Sequence, residues 1–217
     1  MIDRGAARTR LETARLYLVL EAGAAGVVAA ALRGGVDMVQ LRDKSAPDAV
    51  VVSAGRELRE LCHRHGALFL VNDRPDLALE CGADGVHLGQ DDAPVEEVRA
   101  EVGDALVIGL STHSTQQIAA AEASSANYYA VGPVHETPTK PGRPAVGLEL
   151  VRHAASVASK PWFAIGGIDP GNVTEVAAAG ARRVVVVRAI RDAASPVQGA
   201  RSLRSALEQE AAVGPAR

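Results

Sequence analysis

Aromatic side chains are scarce in this sequence: one tryptophan, three tyrosines and two phenylalanines make up 3% of its 217 residues. That excludes a core built on stacked rings. With 47% hydrophobic residues, ordinary for a globular chain, the interior must be filled mainly by Ala, Val, Leu and Ile. Cysteine is nearly absent. Cys62 and Cys81 form no CxxC pair and lack the dense, even spacing of a disulfide scaffold or a zinc site. Both are expected to be buried, reduced thiols in a cytoplasmic protein. Excess charge is missing too, because a formal net charge of -3 gives no general field to draw nucleic acid or an anionic membrane. The expected partners are therefore small molecules. No long apolar run exists either. Met1 to Arg10 is charged and is not followed by a signal-length apolar stretch, and no segment approaches a membrane span, so export is not expected.

What is present is a repeated unit. Helix-like, Ala-rich segments end at glycine, and a short β-branched or leucine-rich run follows: Gly34-Gly35 before Val36, Gly66 before Leu68, Gly82 before Val86, Gly103 before Leu106 and Gly180 before Val184. The left-handed position that closes a helix favours glycine. Strands placed this way fall near 15–20, 36–41, 68–72, 84–88, 106–110, 127–131, 162–165 and 183–187. Short apolar runs without alternation suit parallel strands covered on both faces, with helices as crossovers. Eight such units favour an α/β TIM (β/α)8 barrel, a closed parallel sheet with outer helices, over an open doubly wound sheet that would leave edges. The expectation is one catalytic domain over 1–217, with 1–13 as an N-terminal extension, a closing helix from Pro196 to Ala211 and a frayed tail over 213–217. Oligomeric state is left open, a homo-oligomer included.

In such barrels the chemistry sits where strands run into the following loops. Strand two ends Gln40-Leu41-Arg42-Asp43-Lys44, and a period of two puts Gln40, Arg42 and Lys44 on one side, either facing the mouth or as a solvated strand end. After strands three and four come Asn72-Asp73-Arg74-Pro75 and His87-Leu88-Gly89-Gln90-Asp91-Asp92, followed by Pro94. Asp73 and Asp92 could share a hard cation such as Mg²⁺. Taken singly, each reads better as a helix cap ahead of its proline. His87 reads as a packed, hydrogen-bonded histidine rather than a catalytic base. Strand five runs out into Ser111-Thr112-His113-Ser114, where Ser114 reads as an N-cap and Ser111 is left free to face the mouth.

The irregular stretch from Gly132 to Pro144 carries Thr137, Pro138, Thr139 and Lys140. Two hydroxyls and an ammonium are the groups a phosphate needs, and a loop of that length is either a functional lid or a tolerated surface excursion. The paired Gly166-Gly167 after strand seven and Val187-Arg188 after strand eight occupy the place where such barrels hold phosphate. Asp169-Pro170 reads as an ordinary N-cap and first-turn proline.

Five of these motifs, Gln40 to Lys44, Asn72-Asp73-Arg74, His87 to Gln90 with Asp92, Thr137 to Lys140 and Gly166-Gly167-Ile168, resemble the thiamine phosphate synthase family in order and spacing, over strands two to eight. The resemblance implies a transferase of thiamine biosynthesis. It would join 4-amino-2-methyl-5-(diphosphooxymethyl)pyrimidine to 4-methyl-5-(2-phosphoethyl)thiazole, or its carboxylated form, giving thiamine phosphate and pyrophosphate through a pyrimidine cation. By that likeness Gln40, Leu41, Arg42, Asp43, Lys44, Asn72, Ser111 and Lys140 hold the pyrimidine diphosphate, with Arg42, Lys44, Ser111 and Lys140 as the catalytic set. Asp73 and Asp92 hold one Mg²⁺ per subunit, and Thr137, Pro138, Thr139, Gly167, Val187 and Arg188 receive the thiazole phosphate. Arg188 departs from the family's pattern, in which serine usually follows the last strand. The rival readings are a related thiazole tautomerase, a non-catalytic regulator that binds thiazole phosphate, and a generic sugar-phosphate barrel enzyme.

Overall fold

In a computed structural model that describes residues 4–137 and 144–213, eight parallel strands pair in chain order, and the last returns to the first to close a barrel. They are β1 (Leu16–Leu20), β2 (Met38–Leu41), β3 (Leu68–Asn72), β4 (Gly85–Leu88), β5 (Val107–Thr112), β6 (Tyr128–Val131), β7 (Trp162–Ile165) and β8 (Val184–Val186). Each corresponds to a run expected from the sequence, with ends displaced by a few residues at most. The helices are α1 (Arg4–Thr13), α2 (Ala25–Arg33), α3 (Asp48–Arg64), α4 (Pro75–Cys81), α5 (Val95–Val102), α6 (Thr115–Ala123), α7 (Gly147–Val157), α8 (Val173–Ala178), α9 (Arg188–Arg191) and α10 (Pro196–Val213). Gly82 closes α4 in the left-handed conformation, φ 70°, which a Cβ would strain. Among the described residues no helix is long and apolar enough to cross a membrane.

The period of two divides each strand between two cores. Leu16, Leu18 and Leu20 of β1 and Val39 and Leu41 of β2 point outward and pack under the helices. Tyr17, Val19, Met38, Leu68, Leu70, Val107, Tyr128, Phe163 and Val185 point inward and fill the barrel. Two of the three tyrosines and one of the two phenylalanines thus gather inside it. Phe163 meets Tyr17 and Tyr128 edge-on, each at 5.6 Å between ring centres.

The inner core is sealed from below by α1, read from the sequence only as part of an extension. Ala7 and Leu11 of this helix and Ala14 just after it join the inward-facing cluster. Their i, i+4, i+7 spacing is one face of a helix. Burying Leu11 is worth about 1.5–3 kcal/mol, so this end of the barrel serves stability. The opposite end, where the strands run out, stays open.

Strand eight is shorter than expected. It stops at Val186, Val187 breaks the extended conformation, and Arg188 begins the short helix α9. The apolar run Val184 to Val187 hid this turn, because nothing in a β-branched stretch marks which valine is the last in the sheet.

Candidate active site

The open end holds two cavities of about 350 and 340 Å³ that share Ser111, His113, Ile165, Val185 and Val187 as lining. The first lies over β1 to β5 and is lined by Gln40, Arg42, Lys44, Asn72, Asp73 and Asp92, among others. The second lies over β6 to β8 and is lined by Thr137, Gly167, Val187 and Arg188 together with Gly166 and Asp169. Pro138, Thr139 and Lys140 lie outside the described residues.

Two members of the strand-two motif do not face the mouth. Leu41 points outward into the layer between barrel and helices, as alternation demands of the residue after Gln40. Asp43 turns back on its own loop, where its carboxylate accepts hydrogen bonds from the Ser45 hydroxyl and the Ser45, Ala46 and Ala22 N–H groups. Burial opposes ionisation there, but these donors outweigh it and hold Asp43 below the usual carboxylate range. Its work is to fix the loop that carries Lys44.

Lys44 reaches Asp73, with Nζ 2.7 Å from Oδ2, and Asp73 is hydrogen-bonded to Asp92. The capping reading of both aspartates fails. The residue preceding α4 is Arg74 and that preceding α5 is Pro94, and no side chain caps either helix. Asp92 instead accepts the Gly89 N–H at 2.6 Å, and Asp73 takes a left-handed backbone, φ 61°, that swings its carboxylate towards Lys44. Burial would raise Asp73, yet Asp92 and the Lys44 ammonium hold it below the usual carboxylate range. Burial and the Asp73 contact push Asp92 up, against the pull of the Gly89 N–H. Two carboxyls in contact oppose each other's ionisation, and the cost falls on Asp92.

That arrangement fits a divalent cation. Two carboxyls that oppose each other's ionisation gain when a double positive charge lies between them. Among the described residues no group of three or more His, Cys, Asp or Glu side chains converges. The protein would thus supply two ligands and leave the rest to water and phosphate oxygens, the usual habit of Mg²⁺.

Below the carboxylates, inside the barrel, lies a polar cluster. His87 is buried and bonds through Nδ1 to the Tyr128 hydroxyl at 2.9 Å and through Nε2 to the Ser111 hydroxyl at 3.0 Å. This is the packed, hydrogen-bonded histidine expected from the sequence. Tyr17 lies 3.2 Å from Tyr128, hydroxyl to hydroxyl, and accepts a hydrogen bond from the Gln40 amide nitrogen. Burial pushes both phenols well up, so they stay protonated. Nothing in the residue pattern signals either tyrosine's polar role. Arg191, Glu21 and His113 also line the first cavity without having been given a role, as does Gln90, seen only as part of the motif after strand four. Gln90 anchors the Ser111 carbonyl through Nε2 at 2.5 Å. The only signal for Arg191 is its i+3 spacing from Arg188, legible once the two are known to share a helix.

The glycine pair has a packing task beside any ligand. A Cβ on Gly166 would lie 2.4 Å from Pro133 Cα, and one on Gly167 would lie 2.7 Å from His135 Cβ. Their smallness brings the root of the long loop against β7, where Val134 N–H and His135 N–H donate to the Ile165 and Gly166 carbonyls at 2.8 and 3.0 Å. Asp169 is not an N-cap of α8 as expected. It binds the Gly171 N–H at 2.7 Å, while Asn172 directly precedes that helix. Ser114 does cap α6, accepting from the Gln117 N–H at 3.2 Å. Both cysteines are buried and unpaired.

A family model described as thiamine monophosphate synthase matches residues 16–190. A thiamine-phosphate synthase of Saccharopolyspora erythraea is 52% identical over 219 residues, covering 95% of this chain and 98% of that protein. Another, of Gloeobacter violaceus, is 53% identical over 194 residues and 88% of this chain, which spans only 57% of that longer protein. Among solved structures, thiamine phosphate pyrophosphorylase from Pyrococcus furiosus superposes with a TM-score of 0.84 at 33% identity, over 94% of this chain and 98% of that one. With the barrel, its paired cavities and these relatives in agreement, the chain belongs to the thiamine monophosphate synthase family.

Proposed function

We propose that this chain catalyses the condensation of 4-amino-2-methyl-5-(diphosphooxymethyl)pyrimidine with 4-methyl-5-(2-phosphoethyl)thiazole, or its carboxylated form, to thiamine phosphate and pyrophosphate. The observation that carries the reading is the joining of two cavities: one bears Arg42, Lys44, Asp73 and Asp92, and the other is bounded by Gly167 and Arg188. One compartment suits a diphosphate with a cation and the other a monophosphate, and their shared lining lets the two substrates meet.

In the first compartment Gln40, Asn72 and Ser111 hold the pyrimidine, and Leu41 and Asp43 contribute through backbone alone. Arg42, Lys44 and Lys140 take up the negative charge that grows on the diphosphate as the carbon–oxygen bond breaks and its electron pair leaves with oxygen. Asp73 and Asp92 would hold Mg²⁺, which when bound neutralises diphosphate oxygens. In the second compartment Thr137, Gly167, Val187 and Arg188 hold the thiazole phosphate, a role the family resemblance extends to Pro138 and Thr139, so that the thiazole nitrogen supplies the pair for the new carbon–nitrogen bond. No general base is needed to start. Ile165, Val185 and Val187 between the compartments give an apolar wall that keeps water from the cation.

Purified protein given both substrates should release pyrophosphate and form thiamine phosphate only when Mg²⁺ is present. Absence of product with magnesium supplied would remove the condensation. A thiazole tautomerase has no diphosphate to activate and would be magnesium-independent. The protein acts on small molecules, and two buried free thiols suit a reducing compartment such as the cytoplasm.

A further inference from the structure

Inside the barrel a continuous hydrogen-bonded line crosses from β2 to β5: Gln40 to Tyr17, Tyr17 to Tyr128, Tyr128 to His87, and His87 to Ser111. It starts and ends on two residues that line the first cavity, and its three middle members are buried. We infer that this line has a fixed polarity which makes the Ser111 hydroxyl a donor and leaves the Gln40 carbonyl oxygen as an acceptor, so that Tyr17, Tyr128 and His87 act as positioning residues for the pyrimidine. The inference rests on the condensation proposed above and says how its first substrate is recognised.

The direction follows from counting protons. An amide nitrogen only donates, so Tyr17 accepts from Gln40 and keeps one proton to give. Its remaining partner in the line is the Tyr128 oxygen. Tyr128, having accepted, gives its own proton to His87 Nδ1. A neutral imidazole with an acceptor at Nδ1 carries its proton on Nε2 and donates to Ser111. Ser111 then has its hydroxyl proton free for a ligand. In the opposite sense the Tyr17 proton would point at an oxygen already donating to it, and Ser111 would spend its proton on His87. Burial keeps both phenols protonated, so each keeps its proton to give.

The fold makes room for this line. Gly109, two residues before Ser111 on the same inward face of β5, has no Cβ. One added there would lie 2.1 Å from Tyr128 Cζ and 2.4 Å from its hydroxyl oxygen. Any other residue would drive the Tyr128 hydroxyl off His87. The Phe163 ring, edge-on to both tyrosines, holds their planes from below. An acceptor from Gln40 and a donor from Ser111 match a 4-aminopyrimidine, whose exocyclic nitrogen donates and whose ring nitrogens accept. A 4-oxo ring, with an acceptor in place of the amino group, meets like against like.

The first test is ¹⁵N NMR of histidine-labelled protein without ligand, the His87 signal being identified by its loss in His87→Asn. A neutral ring protonated on Nε2 is expected, and a proton on Nδ1, or on both nitrogens at neutral pH, overturns the polarity. The second test is Tyr128→Phe. Its KM for the aminopyrimidine diphosphate should rise about tenfold, its KM for thiazole phosphate should stay unchanged, and its preference for the 4-amino over the 4-oxo substrate should narrow about tenfold. If both pyrimidines, or the thiazole phosphate, lose equally, the effect is general loosening and the inference falls. Failure of the condensation itself reads differently: wild-type protein makes no thiamine phosphate even where His87 carries its proton on Nε2.

Discussion

Asp73 is the one described residue other than glycine with a positive φ, and its side chain shares a cavity wall with Lys44 and Asp92. Asparagine tolerates that backbone almost as well as aspartate, whereas alanine does not. Asp73→Asn is therefore expected to keep wild-type thermal stability and lose thiamine phosphate formation, while Asp73→Ala loses the same activity and about 1 kcal/mol of stability as well. Equal melting temperatures for the two variants would mean that the left-handed turn costs nothing. From the residues alone the carboxylate left a cap and a metal ligand both open, and only the family resemblance assigned it a role. An aspartate two places before proline is what a helix cap and a metal ligand both look like, and the turn at 73 removes the cap. Tyr17 and Tyr128 were illegible for another reason. In a strand buried on both faces, hydrophobic alternation is erased, so the run does not tell which side chains enter the barrel. Arg188 was seen as a departure, and the structure places it exposed on α9 beside the second cavity. Arg188→Ser is expected to change the KM for thiazole phosphate severalfold while leaving that for the pyrimidine diphosphate alone; an unchanged value removes any role for the guanidinium.

At the scale of elements, the loop after β6 is pinched at its neck. Val146 N–H donates to the Pro133 carbonyl at 2.8 Å, and Gly147 N–H to the Val134 carbonyl at 3.2 Å. The two ends of the loop are tied to each other as well as to β7. Replacing 137–143 by a short Gly/Ser bridge should therefore leave the melting temperature within a few degrees of wild type. Turnover should fall, and the share of pyrimidine diphosphate hydrolysed to the free alcohol should rise against thiamine phosphate. Unchanged turnover and unchanged hydrolysis would remove the lid role. The sequence announced this loop through its prolines, yet it could not show the neck, which depends on two glycines of the next strand end. Helix α1 is the converse case. Its apolar face of Ala7 and Leu11 stands among arginines, and a ten-residue segment that mixed reads as an extension. Leu11→Ala is expected to cost about 2–4 kcal/mol of stability. The KM values should not move, since the helix plugs the end of the barrel away from Lys44 and Asp73.

For the molecule as a whole, the order of strands was legible because the same punctuation recurs at five places, and a glycine-closed helix before a short apolar run is hard to mistake when it recurs. Closure followed from the count of eight, because an open sheet would leave edges. What could not be read was the division of the interior into an apolar lower half and a polar upper one. That division depends on which strand residues share a level across the barrel, a property of register rather than of any local pattern.

The common wall of Ser111, His113, Ile165, Val185 and Val187 has a kinetic corollary. A molecule assembled from the contents of both chambers straddles the partition, so it evicts either precursor whenever it rebinds. Thiamine phosphate should consequently inhibit competitively against each substrate in turn, and a pattern competitive against one alone would mean that the chambers empty separately.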